Sequence, residues 1–239
     1  MINKLKRKIK LIGVIAIVLL LSFNVKKIIK WKKDSNETNS ILEKENQKII
    51  NKENNKENNK ENYKEFNKDI VGWLKVNNTN IDYPFVKYID NKYYLTHNLN
   101  KEKSTAGWIF LDYRNNINLK NKNSIIYGHA RKDKTMFGTL KYALKKEWYK
   151  NKENQIININ IKNKKYKYKI FSIYTIKKEN YYLQTEFKED KEYRNFLNIL
   201  KGRSIYNFKV DTKKINYILT LSTCYKNDKR VVVHAKLIE

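Results

Sequence analysis

The feature that most constrains this chain is an almost uninterrupted apolar run near its N-terminus, from Leu11 to Phe23. The run has thirteen residues, whereas a helix needs about 20 residues to span a bilayer. Counted from Ile9 to Ile29, with lysine side chains extended towards the lipid headgroups at both ends, the segment is long enough. A signal peptide has an apolar part of similar length, but no small-x-small cleavage site follows this run. We therefore predict an uncleaved transmembrane signal anchor with a cytoplasmic tail in residues 1–30.

Positive charge surrounds this run and dominates the whole chain. The 239 residues include 52 Lys and Arg against 24 Asp and Glu, for a formal net charge of +28. Five basic residues precede the run and five follow it, so charge does not set the orientation of the anchor. We expect the N-terminus inside, because the folded part of the chain follows the run. The remaining charge predicts an anionic neighbour (lipid, wall polymer or nucleic acid) or follows from a composition rich in Lys, Asn, Ile and Tyr.

A polar segment connects the anchor to the rest of the chain. Residues 51–62 repeat the string NKEN three times, and this period places Glu and Lys three positions apart, which supports a helix. Residues 31–62 are therefore predicted to form a polar, solvated and partly helical stalk. Four apolar residues follow at helical spacing: Tyr63, Phe66, Ile70 and Val71. We expect them to dock a helix over residues 61–71 onto a core.

After Trp73 the sequence changes to short runs of β-branched and aromatic residues between polar turns. Predicted strands cover residues 81–86, 108–111, 124–127, 155–161, 165–171, 217–221 and 231–238, and predicted helices cover residues 136–148 and 191–200. A tight turn at 162–164 joins two of these strands as a hairpin. About eight short strands with few helices predict a mainly β domain in residues 63–239, a largely antiparallel barrel or sandwich with peripheral helices.

The single cysteine of the chain, Cys224, follows a strand and precedes a polar turn. One cysteine cannot form an intramolecular disulfide, so any function it has is that of a thiol. In a hairpin centred on Asn227, residues 224 and 230 face each other across two strands. Arg230 then favours the thiolate form and presents N–H donors to an oxyanion. From the spacing alone, a buried structural cysteine beside a surface arginine is the more common arrangement.

Three histidines are candidates for a general base: His97, His129 and His234. His129 follows a strand end and a glycine, where side chains emerge from a scaffold, and it is favoured for that reason. His97 lies in an irregular stretch. His234 lies in a β-branched strand on the face opposite Val231 and Val233, so we expect it at solvent or at the rim of a pocket. No ligand pair has metal-binding spacing and no nucleotide-binding glycine pattern is present, so we predict neither a metal nor a cofactor.

Several strings of the sequence together resemble the class B sortase family. They are, in chain order, Ile81–Pro84, Tyr94–Leu95, Ala106–Arg114, Ile125–His129, Thr135–Phe137, Thr220–Cys224 and Arg230–Val233. The resemblance covers residues 65–238, and its most specific part is the pair of strings TLSTC and IIYGH.

The resemblance implies a fold and a set of site residues. The fold is mainly β, an eight-stranded sortase-type β-barrel with N-terminal helices and a long helix before the seventh strand, here residues 191–200. The implied catalytic residues are Cys224 as nucleophile, His129 as general acid and base, and Arg230 as the residue that orients substrate and stabilises the transition state. The implied substrate-binding residues are Leu95, Tyr182, Leu183 and Ser222. Only five residues separate Cys224 from Arg230, which is short for the family, so the groove on the acceptor side is not carried over.

The resemblance also implies a function, that of a membrane-anchored transpeptidase of Gram-positive bacteria. Such an enzyme is single-pass, with a cytoplasmic N-terminus and an extracellular catalytic domain. It cuts an NPxTx-type sorting signal of a surface protein after its Thr, through a thioester. It then passes the acyl group to an amine of peptidoglycan or of its lipid-linked precursor. The implied partners are therefore that surface protein, that amine and the membrane, and no nucleic acid.

Three alternatives remain open at this point. A sortase that polymerises pilin subunits has the same catalytic residues and a different acceptor. A membrane-anchored cysteine peptidase only hydrolyses its substrate, although a papain-like enzyme has its Cys before its His, the reverse of the order here. A basic module without enzymatic activity binds wall polymers or nucleic acid, and its function does not depend on Cys224.

Overall fold

The structure is a computed structural model that describes residues 2–54, 67–162, 164–177, 179–224 and 228–238. Its helices are α1 (Ile2–Asn54), α2 (Lys146–Lys150) and α3 (Asp190–Gly202). Its strands are β1 (Ile70–Val76), β2 (Asp82–Lys87), β3 (Phe110–Leu111), β4 (Asn123–Tyr127), β5 (Ile156–Ile161), β6 (Lys164–Ile176), β7 (Ile218–Cys224) and β8 (Arg230–Leu237).

The eight strands close into a barrel in the order β1-β2-β3-β4-β7-β8-β6-β5, and β5 pairs with β1 to complete it. The neighbours β2 and β3 run parallel, as do β4 and β7, and the other pairs are antiparallel. This arrangement confirms the predicted eight-stranded barrel. Closing the barrel pairs the first strand with the last one in the order, so the sheet has no free edge with unpaired backbone N–H and C=O groups.

Alternation of side chains explains why these segments form strands around one core. In β5, Ile157, Ile159 and Ile161 are buried while Asn160 is exposed, so one face of the strand points into the barrel. Strand β5 pairs in register with β6 from Ile156 opposite Lys169 to Ile161 opposite Lys164. The hairpin predicted around residues 162–164 is thereby confirmed, although residue 163 lies outside the described residues.

The connection from β6 to β7 contains α3, which extends the helix predicted over 191–200 by one residue before it and two after it. Its apolar face is buried and consists of Tyr193, Phe196, Leu197 and Leu200. Ser172 of β6 donates a hydrogen bond to the carbonyl oxygen of Leu200 at 2.6 Å, so the helix lies against the outer face of the sheet. The long helix before the seventh strand is therefore present where the family resemblance implies it.

Two predicted helices take a different form. The helix expected over 61–71 is wrong for its second half, because Ile70 begins β1 and is paired with Val86, while residues 61–66 lie outside the described residues. The helical spacing of its apolar residues is outweighed by β-branched side chains that pack in a sheet. The helix expected over 136–148 is replaced by a 3-10 helix (Leu140–Leu144) and by α2, because Lys145 between them is extended, with ψ of 139°, and Met136 at the predicted start has a left-handed φ of 52°.

The N-terminal helix α1 is one continuous element that includes the apolar run. Among the described residues it is the one helix that is long and apolar enough to cross a membrane, with a mean hydropathy of 2.1 over its most apolar part. None of that part is buried against the barrel. This is the arrangement expected of a helix whose apolar surface has a partner other than the barrel.

The part of α1 from Asp34 to Glu45 packs on the barrel. Five residues of one helical face are buried: Asp34, Ser35, Thr38, Ile41 and Glu45. Asp34 accepts hydrogen bonds from the backbone N–H of Thr105, at 3.0 Å, and from its hydroxyl. The guanidinium of Arg131 lies 5.4 Å from the ring centroid of Trp31. At these positions the segment expected to be solvated is instead in contact with the barrel, because its polar side chains find hydrogen-bond partners there.

Candidate active site

The ends of two parallel strands define one end of the barrel. Strands β4 and β7 run in register, with Tyr127 opposite Ser222, and the N–H of Gly128 lies 3.4 Å from the carbonyl oxygen of Ser222. His129 comes two residues after Tyr127, and Cys224 comes two residues after Ser222. Neighbouring strands lie about 4.8 Å apart, so the backbones that carry these two residues leave the sheet side by side.

The antiparallel pair β7 and β8 adds the third residue. The register places Cys224 and Arg230 directly opposite each other as Cα partners, which confirms the predicted pairing of positions 224 and 230. The predicted centre of the turn, Asn227, lies outside the described residues. Three adjacent segments therefore bring His129, Cys224 and Arg230 to the same end of the barrel.

His129 is half-buried and contacts the backbone through one ring nitrogen. Its Nε2 lies 2.7 Å from the carbonyl oxygen of Leu95. Because a carbonyl can only accept, Nε2 carries the proton, and the lone pair of the neutral imidazole is on Nδ1. Leu95, predicted to bind substrate, is exposed at the same place. His129 can therefore exchange a proton at Nδ1 while the Leu95 carbonyl fixes its ring.

Gly107 makes the contact between His129 and Leu95 possible. Its φ is +56°, in the left-handed region that favours glycine. A Cβ at this position would lie 2.8 Å from the carbonyl oxygen of Leu95 and 3.0 Å from Cδ2 of His129. Sequence reasoning included Gly107 in the string Ala106–Arg114 but assigned it no role. The available signal was a glycine directly before a strand in that string.

Arg230 is half-buried and donates from Nη1 to the hydroxyl of Tyr182 at 2.9 Å. The same hydroxyl lies 2.9 Å from Oγ of Ser222. Tyr182 is fully buried and Ser222 is 3% exposed, so both lie beneath the surface next to Arg230. The structure thus brings two of the predicted substrate-binding residues together with the predicted catalytic arginine, and their contact with substrate stays a prediction.

Leu183, the fourth predicted substrate-binding residue, is half-buried and lines an open groove of about 590 Å³. The other residues of its lining are Arg114, Asn180, Tyr181 and Gln184. Arg114 donates to the carbonyl oxygen of Leu183 at 3.0 Å and to both carboxylate oxygens of Asp112 at 2.8 Å. The lining of this groove therefore combines polar and apolar side chains.

Asp112 holds this side of the groove together and was missed by sequence reasoning as a site residue. Burial alone would raise the pKa of its carboxyl group, but hydrogen bonds from Arg114 and from the Tyr127 hydroxyl lower that pKa below its usual value. Asp112 therefore stays ionised and orients Arg114. Its place in the string Ala106–Arg114 was the only signal in the sequence.

The other two histidines have structural surroundings. His234 is fully buried, which corrects the expectation that it lies at solvent or at a pocket rim. Strand parity selects its face correctly, but α3 and the segment before it cover that face. His97 contacts the carbonyl oxygen of Tyr93 through Nδ1 at 2.9 Å and stacks on the Tyr93 ring. Among the described residues, no group of three or more His, Cys, Asp or Glu side chains is placed to hold a metal ion.

Comparison with known proteins gives one consistent family. The profile of the sortase domain matches residues 74–238. Sortase B of Listeria monocytogenes is 39% identical over 175 residues, which are 71% of this chain and 70% of the relative. A solved Staphylococcus aureus sortase B–substrate complex is 34% identical with a TM-score of 0.78, over 87% of this chain and 99% of that chain. A solved sortase B complexed with triglycine is 34% identical with a TM-score of 0.77, over 86% and 99%.

Proposed function

Because the chain belongs to the sortase B family of cysteine transpeptidases, we propose that it cleaves an NPxTx-type sorting signal after its Thr. The acyl group is held on Cys224 as a thioester and is passed to an amine. The observation that carries this proposal is the strand register that brings His129, Cys224 and Arg230 to one end of the barrel.

The first half of the reaction forms the thioester. The Cys224 thiolate attacks the Thr carbonyl carbon, and the carbonyl oxygen becomes an oxyanion next to the Arg230 guanidinium. When the C–N bond breaks, protonated His129 gives its Nδ1 proton to the departing amine. The products are the acyl thioester, the released C-terminal peptide and a neutral imidazole.

The second half transfers the acyl group. An incoming amine attacks the thioester carbonyl carbon, and neutral His129 takes a proton at Nδ1 as the new amide forms. The Cys224 thiolate leaves, and Arg230 again faces the oxyanion of the tetrahedral intermediate. The enzyme returns to a thiolate with a protonated histidine, so the cycle balances without a cofactor.

The substrate-binding residues divide into two groups in this proposal. Leu95 is exposed beside His129 and Leu183 lines the groove next to Arg114, so both can contact the sorting signal directly. Tyr182 acts from below through its contact with Arg230, and Ser222 acts through its contact with the Tyr182 hydroxyl. The relative solved as a sortase B–substrate complex supports a sorting signal as substrate.

The acceptor in this proposal is an amine of peptidoglycan or of its lipid-linked precursor. The relative complexed with triglycine supports a small peptide amine as the acceptor. The exposed apolar part of α1 supports a single-pass anchor. The proposed orientation, with the N-terminus in the cytoplasm and the catalytic domain outside, rests on the proposed reaction at the cell wall. The partners are then the surface protein, the wall amine and the membrane, and not a nucleic acid.

A cleavage assay with the full chain in detergent micelles tests the proposal. The substrate is a quenched NPQTN-like peptide, offered with and without triglycine. We expect a triglycine adduct from the wild type, none from Cys224→Ala or His129→Ala, and a strong loss for Arg230→Ala and Arg230→Lys. The exposed neighbour Lys229→Ala is the matched control for charge and is expected to behave as wild type.

The alternatives predict other results in the same assay. Undiminished cleavage by Cys224→Ala excludes the thioester mechanism. Cleavage by the wild type without an adduct at high triglycine concentration favours a peptidase that only hydrolyses. A pilin-polymerising enzyme instead prefers a lysine side chain in a folded acceptor protein.

A further inference from the structure

A chain of hydrogen bonds with a buried centre and partly buried ends lies behind the site. It begins and ends on the same short stretch, Tyr181–Gln184, here named the wall segment. Its members are, in order, Tyr181, Tyr174, His234, Thr220 and Asn123, followed by the backbone carbonyls of Tyr182 and Gln184. The wall segment carries Tyr182, the partner of Arg230. None of the proton transfers described above involves this chain.

The direction of every bond in the chain follows from its last member. Nδ2 of Asn123 lies 3.0 Å from the Tyr182 carbonyl oxygen and 2.8 Å from the Gln184 carbonyl oxygen. Carbonyl oxygens only accept, so the amide nitrogen faces them and the amide oxygen Oδ1 faces Thr220. The Thr220 hydroxyl lies 2.6 Å from Oδ1 and has one proton, which it must donate there. Its oxygen is then an acceptor for its other neighbour.

That neighbour is His234, and its tautomer is thereby determined. Nδ1 of His234 lies 2.8 Å from the Thr220 hydroxyl oxygen, so Nδ1 carries the proton. In the neutral ring Nε2 is then an acceptor, and it receives the proton of the Tyr174 hydroxyl at 2.9 Å. The Tyr174 oxygen in turn accepts from the Tyr181 hydroxyl at 2.9 Å. The other neutral tautomer would place two lone pairs against each other at Thr220.

The surroundings of His234 keep the ring neutral. It is fully buried, and the groups that face it are Phe171 and Tyr174 on β6, Thr220 on β7 and the Tyr182 ring. None of these groups is charged, and burial lowers the pKa of His234 to about 3. The ring therefore serves as a fixed donor and a fixed acceptor throughout the physiological range.

We propose that His234 is a positioning residue for the transfer reaction: with its proton on Nδ1, it completes a one-way chain of hydrogen bonds that pins the wall segment and so holds Tyr182 against Arg230. These hydrogen bonds hold the wall segment at three points: the Tyr181 hydroxyl and the carbonyl oxygens of Tyr182 and Gln184. The inference rests on the proposed function only for the part that concerns Arg230.

The link from the wall segment to chemistry is the Tyr182 hydroxyl. It contacts Arg230 Nη1 and Ser222 Oγ, each at 2.9 Å. A guanidinium stabilises an oxyanion only when its N–H groups point at the developing charge. Loss of these hydrogen bonds frees the wall segment to shift and so to displace Arg230. Small displacements of a group that stabilises the transition state reduce the rate more than they reduce substrate binding.

The tautomer is tested first, because it does not depend on activity. Long-range ¹H–¹⁵N spectra of the full chain in detergent micelles report which ring nitrogen carries the proton, and His234→Gln assigns the signal. We expect a neutral ring with its proton on Nδ1 that does not titrate between pH 5 and 8. A proton on Nε2, or titration within that range, overturns the proposal even if the enzyme is fully active.

The positioning role is tested with a pair of variants at Thr220. Thr220→Val keeps the shape and removes the hydroxyl bridge, and we expect it to lower kcat by about tenfold with little change in KM. Thr220→Ser keeps the bridge and is expected to stay within about twofold of wild type. Equal kcat for Thr220→Val and wild type overturns the proposal.

A double variant separates positioning from a general loss of stability. In a Tyr182→Phe background the link from the segment to Arg230 is already broken, so adding Thr220→Val is expected to cost little further activity. If Thr220→Val lowers kcat by a further tenfold in the Tyr182→Phe background, the proposal that the hydrogen bonds act on Arg230 through Tyr182 is overturned. A wild type that transfers no acyl group overturns the proposed function instead, and leaves the tautomer result standing.

Discussion

At the scale of single residues, the proposed proton transfer depends on how the His129 ring is held. The Leu95 carbonyl fixes the ring through Nε2, and Gly107 provides the space for this approach. Neither partner is a catalytic residue, yet each sets the direction in which Nδ1 points. The catalytic geometry therefore depends on a backbone position where only glycine fits.

Gly107→Ala is expected to lower kcat/KM by about tenfold or more, because the added Cβ strains a left-handed backbone and displaces the His129 ring. The matched control is Gly202→Ala, where a Cβ meets nothing within 4 Å, and it is expected to leave the activity unchanged. Steady-state kinetics with the sorting peptide compares the two. Equal activity of both variants would show that Gly107 does not position His129.

The buried His234 also predicts a pH dependence of stability. Its pKa is 6.5 in the unfolded chain and about 3 when folded, so below pH 6.5 the unfolded state binds more protons than the folded state. The contribution of His234 to the free energy of unfolding is complete above pH 6.5. As the pH falls from 6.5 towards 3, the free energy of unfolding decreases by about 1.4 kcal/mol per pH unit. Between pH 7 and pH 5 this is about 2 kcal/mol.

Urea unfolding of the wild type and His234→Gln at pH 7 and pH 5 measures this difference. The wild type is expected to lose about 2 kcal/mol more than the variant between these pH values. Parallel losses in both proteins would mean that His234 is not held neutral by burial. The comparison concerns the pH difference alone, so a lower absolute stability of the variant does not affect it.

At the scale of residues, the sequence predicted positions better than surroundings. The hairpin spacing correctly paired positions 224 and 230, while the catalytic roles of Cys224, His129 and Arg230 come from the resemblance of the strings TLSTC and IIYGH and stay predictions. His234 was placed on the correct face of β8 by parity, but parity does not show that α3 and the wall segment cover that face. Which buried groups pair across strands distant in sequence, such as Asn123 and Thr220, has no local sequence signal.

At the scale of elements, the site is built from strand ends and α1 is joined to it. The helix contacts the barrel through Asp34 at Thr105 and through Trp31 at Arg131. Arg131 follows His129 by two residues, and Thr105 precedes Gly107 by two. The helix that leads from the apolar run thus contacts the two segments next to His129 and Gly107.

Asp34→Ala is expected to weaken this contact, because the N–H and the hydroxyl of Thr105 both lose their acceptor, the buried Asp34 carboxylate. Hydrogen exchange of the Thr105 amide is expected to accelerate by about tenfold. Asn39→Ala on the exposed face of α1 is the control and is expected to leave the exchange unchanged. Equal exchange in the two variants would contradict a docked helix.

Strands were easier to predict than helices in this chain. Period-two alternation marks β5 and β6 clearly, and the buried stripe of α3 marks a helix at 190–202. The helix expected at 136–148 is wrong because a hydrophobic pattern shows neither the left-handed Met136 at its start nor the extended Lys145 within it. Asp34 to Glu45 read as solvated because a helical face made of polar residues differs little in sequence from a face in water.

At the scale of the whole molecule, the proposed anchor makes the length of α1 set the distance between the barrel and the membrane. The predicted span ends at Ile29 and the first buried contact is Asp34, five residues on. At about 1.5 Å per residue this is roughly 7.5 Å of helix, so a span inserted as proposed would hold the barrel close to the lipid headgroups. Part of the net charge of +28 then faces an anionic surface, which is a simpler explanation than nucleic acid.

Insertion of seven helix-forming residues after Ile29 keeps the face of the helix and lengthens it by about 10 Å. The single cysteine allows a fluorophore to be placed on Cys224, and energy transfer to a dye at the vesicle surface reports its height. We expect the label to move away from the membrane by about that length, while docking of α1 is retained. An unchanged distance would contradict a rigid connection between membrane and barrel.

The most direct test of the central claim is the intact mass of the full chain mixed with sorting peptide in the absence of an amine. We predict an increase by the mass of the peptide up to its Thr, located on Cys224 by fragmentation and removed by hydroxylamine, as a thioester is. The adduct is expected to form in wild type and to disappear on addition of triglycine as the new amide appears. Continued cleavage with no adduct on Cys224 under these conditions would contradict acyl transfer through this cysteine.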